Sequence, residues 1–121
     1  MDKSVLIVDD EPMMRQVLSD FFAEVGFLVF EAGDGPQALE VLKNEHPSLV
    51  LLDLHLTKMT GFEVLKKAKQ ISPKSLVVVL TGVQDEKSAK EAIGLGAYDY
   101  LTKPISLEKL QTELLNRIFV E

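Results

Sequence analysis

Residues 5–12, VLIVDDEP, run four aliphatic side chains straight into Asp9, Asp10 and Glu11. Three consecutive acids repel one another, and clustering raises each carboxyl pKa unless a cation compensates. Other reactive types follow later apolar runs: Asp53 closes LVLLD at 49–53, Thr81 follows LVVVL at 76–80, and Lys103 precedes Pro104. Hard carboxylate oxygens favour Mg2+, or Mn2+ in its place. Mg2+ usually takes one or two carboxylates, keeps some waters and accepts phosphate oxygens. Beside such a cation, a lysine and a hydroxyl, a carboxylate can act as nucleophile on phosphorus and become an aspartyl phosphate. The cation and the lysine would offset charge on the transferring group, and little more is required of the protein.

Taken singly, each of these residues has an ordinary role. Glu11 reads as a helix N-cap or first-turn acid, and Asp9 and Asp10 could be helix-dipole acids as well. Asp53 alone is a carboxylate at a strand end. Thr81 alone is a turn residue and Lys103 a surface lysine. Shared chemistry requires a fold that collects them.

The chain alternates short apolar runs with amphipathic stretches. Residues 4–8 read as a buried strand. Pro12 suits a first helical position, and Met14, Val17, Leu18, Phe21 and Val25 recur at helical spacing up to Gly26. Residues 27–31 predict a second strand, and 34–44 a second helix with Ala38, Leu39 and Leu42 inward. The run at 49–53 is continuously apolar, like a strand covered on both faces. Thr60 and Glu63 have capping-box spacing and open a helix that runs to Gln70. A fourth strand is expected at 76–80, a fourth helix at 85–93 ending near Gly94 or Gly96, and a short fifth strand at 97–101. Ser106 caps a last helix carrying Leu107, Leu110, Leu114 and Ile118.

Five strands alternating with five helices predict an α/β domain, a parallel sheet with helices on both faces. Right-handed crossovers leave few topologies. The flavodoxin-like, doubly wound strand order 2-1-3-4-5 is expected, with its switch point between strands 1 and 3. Ligands in such sheets bind outside the carboxyl ends of the strands, at that point. Asp9 and Asp10 leave strand 1, Asp53 ends strand 3, Thr81 follows strand 4 and Lys103 follows strand 5. Three carboxylates, a hydroxyl and an ammonium would therefore share one edge.

The 121 residues are 46% hydrophobic and 26% charged, with net charge −6 from 13 basic and 19 acidic side chains. This length fits a single domain, 1–121, with a real core. The acidic balance argues against direct nucleic-acid binding, which needs a basic face. Cysteine is absent, so there is no disulfide frame and no thiolate chemistry. The apolar run at 5–8 is too short for a signal peptide. No stretch approaches the roughly 20 residues of a membrane span. A cytoplasmic domain with no membrane partner is expected.

The segments VLIVDDEP, LVLLDLHLTKMTGFEVL, VVVLTG and GAYDYLTKPI together resemble the receiver domain of two-component response regulators, CheY-like, over the whole chain. The resemblance implies that Asp53 accepts phosphate from a histidine kinase. It implies that Asp9, Asp10 and Asp53 hold Mg2+, with the backbone carbonyl of His55 as a further ligand, and that Thr81 and Lys103 contact the phosphoryl group. Tyr100 would be the switch aromatic, moving inward as Thr81 moves, with a backbone carbonyl near Gln84 to take its hydroxyl. The moving face would be helix 4, strand 5 and helix 5. A cis bond before Pro104 is usual in the family. Leu56 and Thr57 stand where the family usually carries Met-Pro, which removes a stiffening element, and Ile105 stands where Phe is common. The His55 side chain itself reads as exposed and inert, and Tyr100 could simply cover the sheet.

The implied partners are a histidine kinase or phosphotransfer protein upstream and an output domain or partner protein downstream, with a phosphorylation-dependent homodimer as one form. GAYDYLTKPI also occurs in receivers attached to transcription activators, so the chain either stands alone or is the first segment of a longer regulator. Three other functions compete. A haloacid-dehalogenase-like phosphatase also uses Asp and Mg2+, but its Asp-x-Asp-x-Thr pattern follows strand 1, where this chain has Asp9-Asp10-Glu11-Pro12. A nucleotide or flavin binder would need a Gly-rich or Ser/Thr-rich phosphate loop there. A phosphorylation-independent interaction module would be indifferent to Asp53→Asn.

Overall fold

The computed structural model describes residues 3–82 and 85–119. Five parallel strands lie in the order β2-β1-β3-β4-β5: Ser4–Val8 (β1), Leu28–Ala32 (β2), Leu49–Asp53 (β3), Leu76–Gly82 (β4) and Asp99–Lys103 (β5). The helices are Pro12–Glu24 (α1), Gly35–Glu45 (α2), Gly61–Ile71 (α3) and Glu86–Gly94 (α4), followed by a composite α5 over residues 107–118. The expected flavodoxin-like topology is the observed one.

Alternation along each strand divides the core. Leu6, Val8, Val50, Leu52, Val77 and Val79 face α2 and α3, packing on Ala38, Leu42, Val64 and Leu65. Val5, Ile7, Leu49, Leu51, Val78 and Leu80 face α1 and α5, packing on Leu18, Phe22, Leu110 and Leu114. β3 sits at the centre with every residue buried, which accounts for its unbroken apolar run.

Helix starts follow their caps. Asp34 accepts from the Gln37 N–H at 2.9 Å, and Ser106 accepts from the Lys109 N–H at 3.2 Å. Glu63 N–H donates to the Thr60 hydroxyl oxygen at 3.2 Å, as the capping-box spacing predicts. Glu11 occupies the N-cap position of α1 without a side-chain capping bond, and Pro12 follows it.

Two strands begin later than the hydrophobic pattern suggests, for one reason. Gly26 and Gly96 take positive φ, 95° and 108°. Each closes its helix with an i−3 bond, and the next residue reaches back five positions, Phe27 to Phe22 and Ala97 to Ala92. The closing motif consumes Phe27 and Ala97, so β2 starts at Leu28 and β5 at Asp99 rather than at 27 and 97. β5 thereby extends through Lys103. β4 runs on to Gly82, so Thr81 lies inside the strand instead of following it.

α5 departs from a uniform helix. It is α-helical over Leu107–Lys109, π-helical over Leu110–Leu115 and α-helical over Asn116–Ile118. The wider turn brings Leu110, Leu114 and Leu115 into the core together. The Thr112 hydroxyl donates to the Glu108 carbonyl at 2.9 Å, an i−4 side-chain bond of the kind that perturbs a helical ladder.

Candidate functional site

β1 and β3 end side by side at the switch point, and their last side chains are acids. Asp9 is wholly buried; its N–H donates to the Ala32 carbonyl at 3.1 Å, which continues the β1–β2 ladder one residue past the strand. Its Oδ1 accepts from the Glu11 N–H at 2.9 Å. Asp53 is 4% exposed, and its Oδ1 accepts from the His55 N–H at 2.9 Å. Asp10 is the least buried of the three. One carboxylate oxygen from each of Asp9, Asp10 and Asp53 lies within 4.8 Å of the others.

Lys103, the last residue of β5, reaches across to this cluster. Its Nζ donates to Asp9 Oδ2 and to Asp53 Oδ2, 3.2 Å from each. Burial alone would lower the Lys103 pKa, but the Asp53 and Asp9 carboxylates outweigh it and hold the ammonium above its ordinary value. Burial pushes the Asp9 carboxyl up, more than the Glu11 N–H and Lys103 pull it down. Thr81 is 1% exposed, and its buried hydroxyl oxygen has no hydrogen-bond partner among the described residues. An unpaired buried hydroxyl is costly and calls for an explanation.

The loop after β3 is built to lie close. A Cβ on Gly61 would sit 2.4 Å from Leu54 Cα and 2.7 Å from the Asp53 carbonyl oxygen, so only glycine lets α3 start there. The loop lacks the expected proline at Thr57, and it is tied instead to the start of α2. Lys58 Nζ lies 3.3 Å from Asp34 Oδ2, and Met59 covers Gly35. Leu56 and Ile105 both pack partly buried against the core.

The structure brings Asp9, Asp10, Asp53, Thr81 and Lys103 to one edge. The His55 side chain is 70% exposed, as expected, but it is not without contacts: Nε2 lies 3.5 Å from Asp85 Oδ2. Asp85 caps α4, and its bond from Ser88 holds its carboxyl below the usual range. Tyr100 is the second residue of β5, opposite Val79 and 40% exposed, rather than near its carboxyl end; the later start of β5 places it there. Thr81 pairs with Thr102. Gln84 lies outside the described residues. The Lys103–Pro104 bond is cis. Sequence reading missed Arg15, whose Nη1 donates to the Asp9 carbonyl at 2.6 Å and whose Nε lies 3.5 Å from Glu31. The available signal was a cation one turn into the helix that follows the acids.

A family model described as the response regulator receiver domain matches residues 5–115. The chain belongs to that family. This receiver domain is 34% identical over 119 residues to chemotaxis protein CheY of Thermotoga maritima, covering 98% of each chain. It is 34% identical over 111 residues to sporulation initiation phosphotransferase F of Bacillus subtilis, covering 92% of this chain and 90% of that one. Among solved structures, a CheY-like receiver domain protein from Methanospirillum hungatei superposes with TM-score 0.89 at 26% identity, covering 97% of this chain and 94% of that one. Other relatives are longer, and the chain spans 46% of one and 23% of another. The receiver domain is a signalling domain of two-component systems. Among its described residues, no helix is long and apolar enough to cross a membrane.

Proposed function

We propose that this receiver domain accepts a phosphoryl group on Asp53 from the phosphohistidine of a histidine kinase or phosphotransfer protein and relays the change to an output domain or partner. The observation that carries this reading is Lys103 Nζ shared between Asp9 and Asp53 at 3.2 Å, at the sheet edge where the buried Thr81 hydroxyl has no partner among the described residues. A phosphoryl group on Asp53 would give Thr81 an acceptor and Lys103 a new anionic partner. One Asp53 carboxylate oxygen forms the O–P bond as the P–N bond to the donor imidazole breaks. The imidazole keeps that electron pair and takes a proton, and the product is an acyl phosphate.

The donor set fits Mg2+: three carboxylates converge, Asp9, Asp10 and Asp53, and the His55 carbonyl follows Asp53 by two residues. When bound, the ion would neutralise charge on the phosphoryl oxygens. Asp9 and Asp10 would hold it, the His55 N–H orients the Asp53 carboxylate, and Lys103 keeps Asp9 and Asp53 together until a phosphoryl group arrives. The same residues would serve self-phosphorylation from small donors and the hydrolysis that reverses it.

Tyr100 is the proposed switch. When Thr81 closes on the phosphoryl group, space opens beside β4 into which the Tyr100 ring can turn. The face of α4, β5 and α5 already carries the exposed apolar residues Ile93, Tyr98, Tyr100 and Leu107, which supports an output partner or a second copy there. Incubation with acetyl phosphate and Mg2+ followed by intact-mass measurement should add one phosphate to the native chain and none to Asp53→Asn. Equal labelling of the variant would place the acceptor elsewhere.

A further inference from the structure

We propose that the hollow at the amino-terminal end of the sheet, opposite the carboxylate cluster, binds a small apolar-bodied molecule carrying a hydroxyl, with His46 Nε2 as the acceptor. Hydrogen-bond direction orders the groups around His46. The Pro47 carbonyl can only accept, so the Ser75 hydroxyl hydrogen is committed to it. Ser75 Oγ lies 2.6 Å from Ser72 Oγ. With its own hydrogen spent, Ser75 accepts and Ser72 donates. Ser72 then has only lone pairs to offer His46 Nδ1, 3.2 Å away. Nδ1 therefore carries the ring hydrogen, and in the neutral imidazole Nε2 is a bare acceptor.

The serine end of the relay is enclosed, while His46 faces out. Ser72 and Ser75 are buried, and Lys69 Nζ closes over them with bonds to the Pro73 carbonyl at 3.1 Å and the Ser75 carbonyl at 3.2 Å. His46 also holds a left-handed backbone, φ 45°, at the end of α2, where glycine is the usual residue. A side chain kept in that conformation and tied to a buried hydroxyl chain is a fixed group, and the function of the opposite edge makes no use of it.

The space beside it has the size and composition of a ligand site. The cavity measures about 860 Å³, within the range of roughly 300–1,000 Å³ typical of small-molecule pockets. Leu28, Phe30 and Ile71 form its apolar wall. Leu28 is 63% exposed, a large aliphatic facing open space from the edge strand β2. Rim charges are mixed, Lys3 and Lys74 with Glu45, so a neutral ligand that pairs apolar contact with a donor for His46 is favoured. A bare imidazole nitrogen complements a donor, and an apolar wall complements a ring or short alkyl body.

Two measurements test the proposal. Two-bond 1H–15N spectra in alkaline buffer, with His46→Gln to assign the signals, should show His46 as the Nδ1–H tautomer; the Nε2–H tautomer overturns the relay. Titration with p-cresol should saturate in the millimolar range and move the His46 ring together with the Leu28 and Ile71 methyls. Its methyl ether, 4-methylanisole, keeps the body and loses the donor, and should bind about tenfold more weakly. Leu28→Lys, an exposed position, should abolish the p-cresol response while the remaining spectrum stays native. Absence of saturation, equal affinity for the two probes, or a response that survives Leu28→Lys would overturn the site.

Discussion

At the residue scale, the carboxylate cluster is held together by one ammonium at some cost to the metal-free fold. Burial raises the Asp9 pKa above its ordinary 3.8. A folded state that binds protons more tightly than the unfolded one gains stability as pH falls. For Asp9 that gain begins at its raised folded pKa and is complete below 3.8, so the ionised carboxylate is a cost at neutral pH. Asp9→Asn in chelator-treated protein should therefore raise the urea midpoint at neutral pH, with the advantage shrinking as pH falls. A lower midpoint at neutral pH would contradict this. Lys103 shares that pH sign, but here the charged form is the stabilised one. Its raised pKa contributes stability that is complete below 10.5 and is lost as pH rises through the folded value. Lys103→Met leaves Asp9 and Asp53 facing each other without compensation and should cost about 1–3 kcal/mol by urea unfolding, with labelling by acetyl phosphate lost. The acids and the lysine were legible from residue type and strand ends. The Arg15 bond to the Asp9 carbonyl was not, because it depends on how a side chain folds back over the turn.

At the element scale, glycines mark where backbone rather than side chain decides. Gly61 has ordinary φ but no room, since its Cβ would meet Leu54 Cα at 2.4 Å. Gly26 has room but a φ of 95°. Gly61→Ala should cost about 3 kcal/mol, at the upper end of overpacking because the obstacle is backbone. Gly26→Ala should cost only about 1–2 kcal/mol of conformational strain. Urea unfolding of both variants would rank them, and Gly61→Ala alone should also slow phosphorylation, because its clash displaces Asp53. The boundaries of β2 and β5 were misread because apolar pattern cannot tell a strand's first residue from one consumed by the preceding helix's closing bonds. The π-helical stretch of α5 was not legible either, since Leu110 and Leu114 fit an ordinary helix equally well and only packing selects the wider turn.

At the scale of the whole molecule, the proposed switch couples the phosphorylated edge to a face formed by three elements. Such coupling needs two states separated by a few kcal/mol, which one phosphate can bias. Tyr100→Ala should leave Asp53 phosphorylation nearly intact while removing the gain in self-association or partner affinity that beryllofluoride produces in the native chain. An unchanged gain would leave Tyr100 as a cover for the sheet. By itself the sequence determined the α/β class, the strand order, the central place of β3 and the edge at which Asp9, Asp10, Asp53, Thr81 and Lys103 gather. Apolar runs and caps are local signals, and parallel strands necessarily bring their carboxyl ends to one side. Only the tertiary structure decided that Lys103 spans Asp9 and Asp53, across 94 and 50 residues of chain, that Thr81 is buried with no partner among the described residues, and that His46 meets the buried Ser72–Ser75 pair. Those facts rest on distances between side chains from segments remote in sequence, and such distances exist only once the core has packed.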